Sequence, residues 1–284
     1  MRLESGDRDL SRVIGKFYRP GRWSIKALEE EHQFLLDLKE EGLTAVAPLR
    51  QKNGKTLCEV GGIFAAFFPK VLGRLPQEFL EADLEHVGKK LALLHNVGAQ
   101  KKFRHRPVLM KSPQDPWETL EFLLPWVAAE VRRRYETAAT ELFHLCEDHI
   151  DPSSFQRIHG DCHRGNLLHN SKSGPDSEFF FVDFDDCMMG PVVQDVWMLF
   201  SSTEIDEEAK QLIQGYESLR LFPLDQLQWI PLLRGLRIVN YAAWIARRWR
   251  DPSFPRLFPL FEQYNYWAEE VEAVERIIWS FTKS

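Results

Sequence analysis

Residues 157–169 read RIHGDCHRGNLLH. Three histidines, an aspartate and an asparagine fall within thirteen positions, between apolar residues. His159, Cys162, His163 and His169 are zinc-ligating types, yet the spacing H-x2-C-H matches no common structural zinc pattern and no second ligand pair follows. A second reading has these polar groups satisfying the backbone of a buried loop. It suits His159 and Cys162 singly, but it does not account for the order of the residues. Asp161 is followed five positions later by Asn166, and a hairpin then returns the chain to Phe181-Val182-Asp183, beside the same loop. Phosphoryl transfer from a nucleotide to an alcohol calls for such a set. A carboxylate orients the hydroxyl and takes its proton, and hard oxygen ligands hold the magnesium that bridges the phosphates. Asp161 suits the first role, Asn166 and Asp183 the second.

The rest of the chain is consistent with an enzyme of that kind. Its 284 residues suffice for one large domain or two small ones, and 44% hydrophobic with 27% charged residues is the balance of a globular protein with a core. A net charge of −6 and a pI near 5.9 argue against nucleic acid as partner, because phosphate backbones need a basic face. Basic runs at 101–106, 132–134 and 247–250 read as solvated helix ends or surface. Cys58, Cys146, Cys162 and Cys187 form no CxxC pair, so they are expected as free thiols in a reducing cytosol. The start, MRLESGDRDLSR, lacks the apolar core of a signal peptide, and the apolar run at 63–69 is too short to span a bilayer. The expectation is a cytoplasmic monomer without membrane contact.

Periodicity and breakers lay out the elements. A strand is expected at 12–18, then a helix capped by Ser24 and stopped at Gly42, then strands at 56–60 and 63–68 joined by Gly61-Gly62. A linker covers 69–76. Helices follow from Glu78 to His95 and over 117–148. A strand at 167–169, a turn at 170–178 and a strand at 179–184 carry the hairpin, and helices over 192–218, 224–250 and 259–282 close the chain. A small strand-rich front thus precedes a larger, mainly helical back.

The loop, hairpin and aspartate resemble the catalytic half of the protein-kinase-like fold, and HGDCHRGN (159–166) resembles the catalytic loop of the aminoglycoside and choline phosphotransferase branch. More narrowly, the chain resembles the bacterial stress response kinase A family, serine/threonine protein kinases with the phosphotransferase-like fold. The stretches that carry this are KFYRPGRW (16–23), EEHQF (30–34), HGDCHRGN (159–166), FVDFDD (181–186), GPVVQDVWML (190–199) and ARRWRDPSFPRLFP (246–259). The resemblance implies an α+β, two-lobe fold of the aminoglycoside phosphotransferase type: a strand-rich N-lobe over residues 1–70 lacking its first strands, and a helical C-lobe over 71–284. It implies ATP and magnesium as cofactors and a protein Ser/Thr hydroxyl as acceptor. The alternatives are a small amino alcohol as acceptor, or a weakly active binding module.

The resemblance also assigns roles. Lys16 would touch the nucleotide phosphates, paired with a glutamate on the next helix. Glu31, with Phe34, Leu35 and Leu38 at i+3, i+4 and i+7, faces inward; Glu30 is the alternative and Glu29 faces solvent. Asp195 would accept N–H groups of the catalytic loop, or simply sit favourably at a helix start. His159 and His163 would support the loop, His163 standing where protein kinases usually carry lysine. Asp185 and Asp186 would shape a second metal site or the substrate mouth, or be solvated. The short span from Asp186 to the helix at Val193 leaves no room for a long activation loop. The tryptophans of the last helices are expected as core and groove walls. The family places a strand, a glycine-containing phosphate loop and another strand before the lysine strand. Gly6 and Gly15 do not form such a loop, so weak nucleotide binding is expected.

Overall fold

The computed structural model describes residues 13–76, 79, 81–111, 115–170, 178–200 and 206–283. Arg12, Gly6 and most of the expected turn at 170–178 lie outside these residues, and the expectation about the phosphate loop falls on them. Described elements begin with strand β1 (Val13–Phe17), helix α1 (Ile25–Glu40) and strands β2 (Leu57–Val60) and β3 (Ile63–Pro69). The strands form an antiparallel sheet in the order β1-β3-β2, with Lys16 and Leu57 both opposite Ala66. Gly61 and Gly62 both take positive φ (59° and 81°), as a two-residue hairpin turn matching the strand twist requires. Ser24 Oγ accepts the Ala27 N–H at 3.2 Å and caps α1, whose buried face carries Leu28, Glu31, Phe34, Leu35 and Leu38.

Several expected elements are divided or shifted. Helix α2 (Glu81–Gln100) runs past the expected stop at His95, because that imidazole lies on its buried face with two polar partners. The single helix expected over 117–148 is two, α3 (Pro116–Leu123) and α4 (Arg132–His149), with Pro125 in the break. Strands β4 (Gln156–Ile158), β5 (Leu167–Asn170), β6 (Glu178–Phe181) and β7 (Met188–Gly190) follow. β5 pairs with β6, and β4 with β7. Both β4 and β7 are three residues long, too short to show an alternating pattern, and were not anticipated. The strand expected over 179–184 stops at Phe181, because Asp183 adopts left-handed backbone and Phe184–Asp186 forms a 3-10 turn. Among the described residues the span 192–218 holds two helices, α5 (Val193–Trp197) and α6 (Glu207–Glu217). Residues 224–250 hold a 3-10 turn, Leu224–Trp229, and then α7 (Ile230–Arg247). Helices α8 (Ser253–Leu257) and α9 (Tyr264–Lys283) complete the chain. Among the described residues no helix is long and apolar enough to cross a membrane.

The chain gathers into two compact units, 1–106 with 156–223, and 107–155 with 224–284. In the first, α2 and α6 pack at backbone contact: a Cβ on Gly88 would stand 2.0 Å from Leu212 O, and one on Gly215 2.0 Å from Glu85 O. Any other residue there would force the helices apart. Arg157 on β4 is buried and binds Asp37 of α1 at 3.0 Å and Val97 O of α2 at 2.7 Å, joining three elements by charged hydrogen bonds. In the second unit, α4, α7 and α9 enclose Tyr135, Leu142 and Trp267, with Gly235 leaving room for Leu142.

Candidate active site

The site lies within the first unit and is built on the β4–β7 pair. Register Ile158↔Met188 sets His159, Gly160 and Asp161 alongside the chain that leads into β7. Gly160 has φ +84°, and a Cβ there would lie 2.3 Å from Asp186 O, so only glycine allows this approach. Asp195, at the start of α5 and fully buried, accepts the His159 N–H at 2.7 Å and the Gly160 N–H at 2.8 Å. Its Oδ2 also faces His95 Nε2 at 3.1 Å, while His95 Nδ1 meets Tyr216 OH at 3.0 Å. Burial holds the His95 ring below the usual histidine range in spite of Asp195, so the neutral ring donates from Nε2 to the carboxylate. The main chain before Asp161 is thereby braced from one buried anion.

His159 completes the brace. Its Nε2 lies 2.9 Å from Val182 O and its Nδ1 accepts the Asp161 N–H at 3.4 Å, so the proton is on Nε2. Beyond Asp161, a single 3-10 turn, Arg164–Asn166, leads into β5. The Asn166 side-chain amide donates to Asp161 O at 2.8 Å and lies 3.5 Å from Asp161 Oδ2. His163 Nδ1 accepts the Gly165 N–H at 2.9 Å, which leaves the proton of the neutral ring on Nε2, 3.5 Å from Asp161 Oδ2. Val182 donates its N–H to Asn166 O at 3.0 Å. Held by His159 and Asn166 together, Val182 delivers Asp183 next to the loop, with φ 61° and ψ 62°. Aspartate tolerates this left-handed conformation better than most residues.

From the other side, Lys16 on β1 reaches this turn. Its Nζ is 3.5 Å from Glu31 Oε1, 3.5 Å from Asp183 Oδ1 and 3.4 Å from Asp185 Oδ1. Burial acts to lower the Lys16 ammonium, but Glu31, Asp185 and Asp183 outweigh it and hold it above the usual lysine range. The Glu31 carboxyl is 1% exposed, and burial pushes it up to about 7 against the pull of Lys16 and Arg106. Glu31, not Glu30, is therefore the partner of Lys16. Glu30 turns instead to the chain at 104–106, accepting the backbone N–H groups of Arg104, His105 and Arg106 at 2.9, 2.8 and 3.1 Å.

Asp185 and Asp186 are both engaged by Arg22, whose guanidinium bonds Asp185 through one nitrogen and Asp186 through the other at 2.7 Å. Arg22 and Arg106, like His95 and Tyr216 behind Asp195, are participants that sequence reasoning missed. Arg106 belongs to the run 101–106 expected at the surface, yet it is 4% exposed; that expectation is corrected for Arg106, which burial against the Trp23 ring and several acceptors makes a core residue. The only sequence signal for Arg22 was its place within KFYRPGRW.

The donor set beside Lys16 fits a hard divalent cation. Asp183 presents a carboxylate that is 60% exposed, and the Asn166 amide, with its nitrogen on Asp161, offers an oxygen. Among the described residues no three His, Cys, Asp or Glu side chains converge as a protein-only metal centre. The zinc-ligating types of the opening stretch disperse. His159 and Cys162 are buried, burial raises the Cys162 thiol well above its usual range, and His169 stacks on Phe179 at 4.3 Å between centroids.

The model of the phosphotransferase enzyme family matches residues 2–230. Stress response kinase A of Escherichia coli (strain K12) is 35% identical over 272 residues, 93% of this chain and 80% of that protein. The serine/threonine protein kinase RdoA of Salmonella typhimurium is 35% identical over 274 residues, with the same shares covered. A solved structure of amicoumacin kinase hAmiN in complex with AMP-PNP, Ca2+ and Ami shares the fold at TM-score 0.72 and 16% identity, over 94% of this chain and 82% of that one. The fold is thus the α+β phosphotransferase fold with a strand-rich N-lobe and a helical C-lobe. With its family model matched over most of its length and relatives this similar, the chain belongs to the phosphotransferase enzyme family, and within it to the stress response kinase A family: it is a kinase.

Proposed function

We propose that this kinase transfers the γ-phosphoryl group of ATP, with magnesium, to Ser or Thr hydroxyls of proteins. The observation that carries the reading is the pairing of Asp161 with Asn166 on a loop braced by Asp195, beside a turn where Lys16 Nζ stands 3.5 Å from both Glu31 and Asp183. Asp161 orients the acceptor hydroxyl and takes its proton as the oxygen attacks the γ-phosphorus, and the bond to the β–γ bridging oxygen breaks. His163 Nε2, 3.5 Å from Asp161 Oδ2, supports the carboxylate. Lys16 binds nucleotide phosphate with Glu31 fixing its ammonium, and Asn166 and Asp183 would hold the metal. Magnesium bound there supplies positive charge that neutralises the phosphate oxygens.

The protein acceptor is favoured by the relative named a serine/threonine protein kinase. A small amino alcohol is the second reading, because a solved microcompartment-associated aminopropanol kinase shares the fold at TM-score 0.71 and 20% identity, over 95% of this chain and 86% of that one. Transfer from radiolabelled ATP to the chain itself, to dephosphorylated casein and to a panel of amino alcohols separates the two. Label on protein alone supports the first, and label on small alcohols alone replaces it with the second. The Asp161→Asn variant should lose roughly 10²–10⁴-fold in rate while remaining folded. Near-full transfer by that variant would remove Asp161 from the role of base.

A further inference from the structure

We propose that Arg106 is a positioning residue that ties Glu31 to the backbone of the turn after Asp183, and so holds Lys16 and the metal-binding aspartate in one frame. The guanidinium has four engagements, all inside the first unit. Nη1 lies 3.5 Å from Glu31 Oε2. Nε donates to Cys187 O at 2.9 Å, and Nη2 donates to Asp185 O. The planar group lies over the Trp23 ring, 4.1 Å from its centroid. The backbone N–H of Arg106 is in turn held by Glu30, one residue before Glu31 on the same helix.

Several features give this arrangement more than a packing role. Glu31 Oε1 faces Lys16 while Oε2 faces Arg106, so one buried carboxylate is divided between the two cations. Among the described residues neither Glu31 Oε2 nor Arg106 Nη1 has a hydrogen-bond partner, and at 3.5 Å each is the other's charge compensation in the interior. The two carbonyls that Arg106 grips bracket Asp186, in the 3-10 turn that Asp183 opens. A lysine could supply the charge at this position, but not the planar fork that serves a carboxylate and two carbonyls while stacking on an indole.

The inference rests on the reading of Lys16 as a phosphate ligand, and its test separates the two. The dissociation constant for AMP-PNP at fixed magnesium is measured by titration calorimetry on the full chain and its variants. A partly unfolded preparation lowers the stoichiometry and leaves the dissociation constant unchanged, so a weaker constant reports the site. Arg106→Gln is expected to weaken binding about tenfold or more, the size set by losing a charged hydrogen bond. Arg106→Lys keeps the buried charge and hence the fold, and should still bind at least about threefold more weakly. The double variant E31Q/R106Q, which removes both buried charges together, should be little worse than Glu31→Gln alone, because one tie is cut at either end. Wild-type affinity in Arg106→Lys and Arg106→Gln, or fully additive losses in the double variant, overturns the proposal. Unchanged affinity in Lys16→Ala would instead overturn the assignment of Lys16, and the proposal with it.

Discussion

Replacing Asp195 by asparagine tests the brace on the catalytic loop without changing side-chain size. The carboxylate accepts at 2.7 Å from His159 N, at 2.8 Å from Gly160 N and at 3.1 Å from His95 Nε2. Asparagine offers one oxygen. With its oxygen at the Oδ2 position it keeps His159 and His95 as neutral hydrogen bonds and turns an NH2 group toward the Gly160 N–H. Hydrogen bonds to a charge contribute about 1.5–3 kcal/mol and neutral ones about 0.5–1.5, while a buried unpaired donor costs about 1–3. Relief from burying a charge offsets part of this, leaving a net loss of roughly 2–4 kcal/mol. That is a large share of the roughly 5–15 kcal/mol by which domains are stable. Denaturant titration measures the loss, and phosphoryl transfer, normalised to folded protein, measures its consequence. The loop that presents Asp161 should lose its fixed shape, and the rate should fall by at least about tenfold. Stability within about 0.5 kcal/mol of wild type together with an unchanged rate would refute the argument that this anion sets the loop.

Gly160→Ala should cost roughly 2–5 kcal/mol in a melt or denaturant titration, because its Cβ would meet Asp186 O at 2.3 Å in a left-handed backbone conformation; wild-type stability would mean the loop can move aside. Asp183→Ala should abolish the magnesium dependence of nucleotide binding and Asn166→Ala should weaken it less, since a carboxylate binds a hard cation more strongly than an amide; titration of AMP-PNP with and without magnesium reads this. In the second unit, burial pushes the Glu270 carboxyl up to about 7 from 4.5. With its folded pKa raised, its contribution to stability is present below about pH 4.5 and is lost as pH rises through about 7. Glu270→Gln should therefore be more stable than wild type above pH 7, by up to about 3 kcal/mol, with no such gain at pH 4; a parallel pair of stability–pH curves would contradict this.

The candidate site was legible where it is local. The loop 159–166 and the return at 181–183 stand at fixed sequence separations, so the candidates Asp161, Asn166 and Asp183 followed from residue order, and the structure brings all three to one loop and hairpin. The inward face of α1 was legible too, because helical spacing alone turns Glu31 toward the same side as Phe34, Leu35 and Leu38. The existence of the long helices was legible and their ends were not: α2 runs on past His95 and the three-residue strands β4 and β7 are set by what the chain packs against, while the break at Pro125 carried a signal in the sequence that the helical spacing masked.

What only the tertiary structure decided is which charges meet. Arg22 and Asp185 are 163 residues apart, Arg106 and Cys187 81 apart, and nothing within either segment marks the other as its partner. By itself the run 101–106 carries the mark of a solvated surface, and Arg106 does not differ from its neighbours. Burial reverses that reading, because a guanidinium removed from water must find acceptors on every side, and folding supplies them from Glu31, Asp185, Cys187 and the face of Trp23. The order of residues determined which groups the loop can present together; the low dielectric of the folded interior determined which distant charges are obliged to hold it in place.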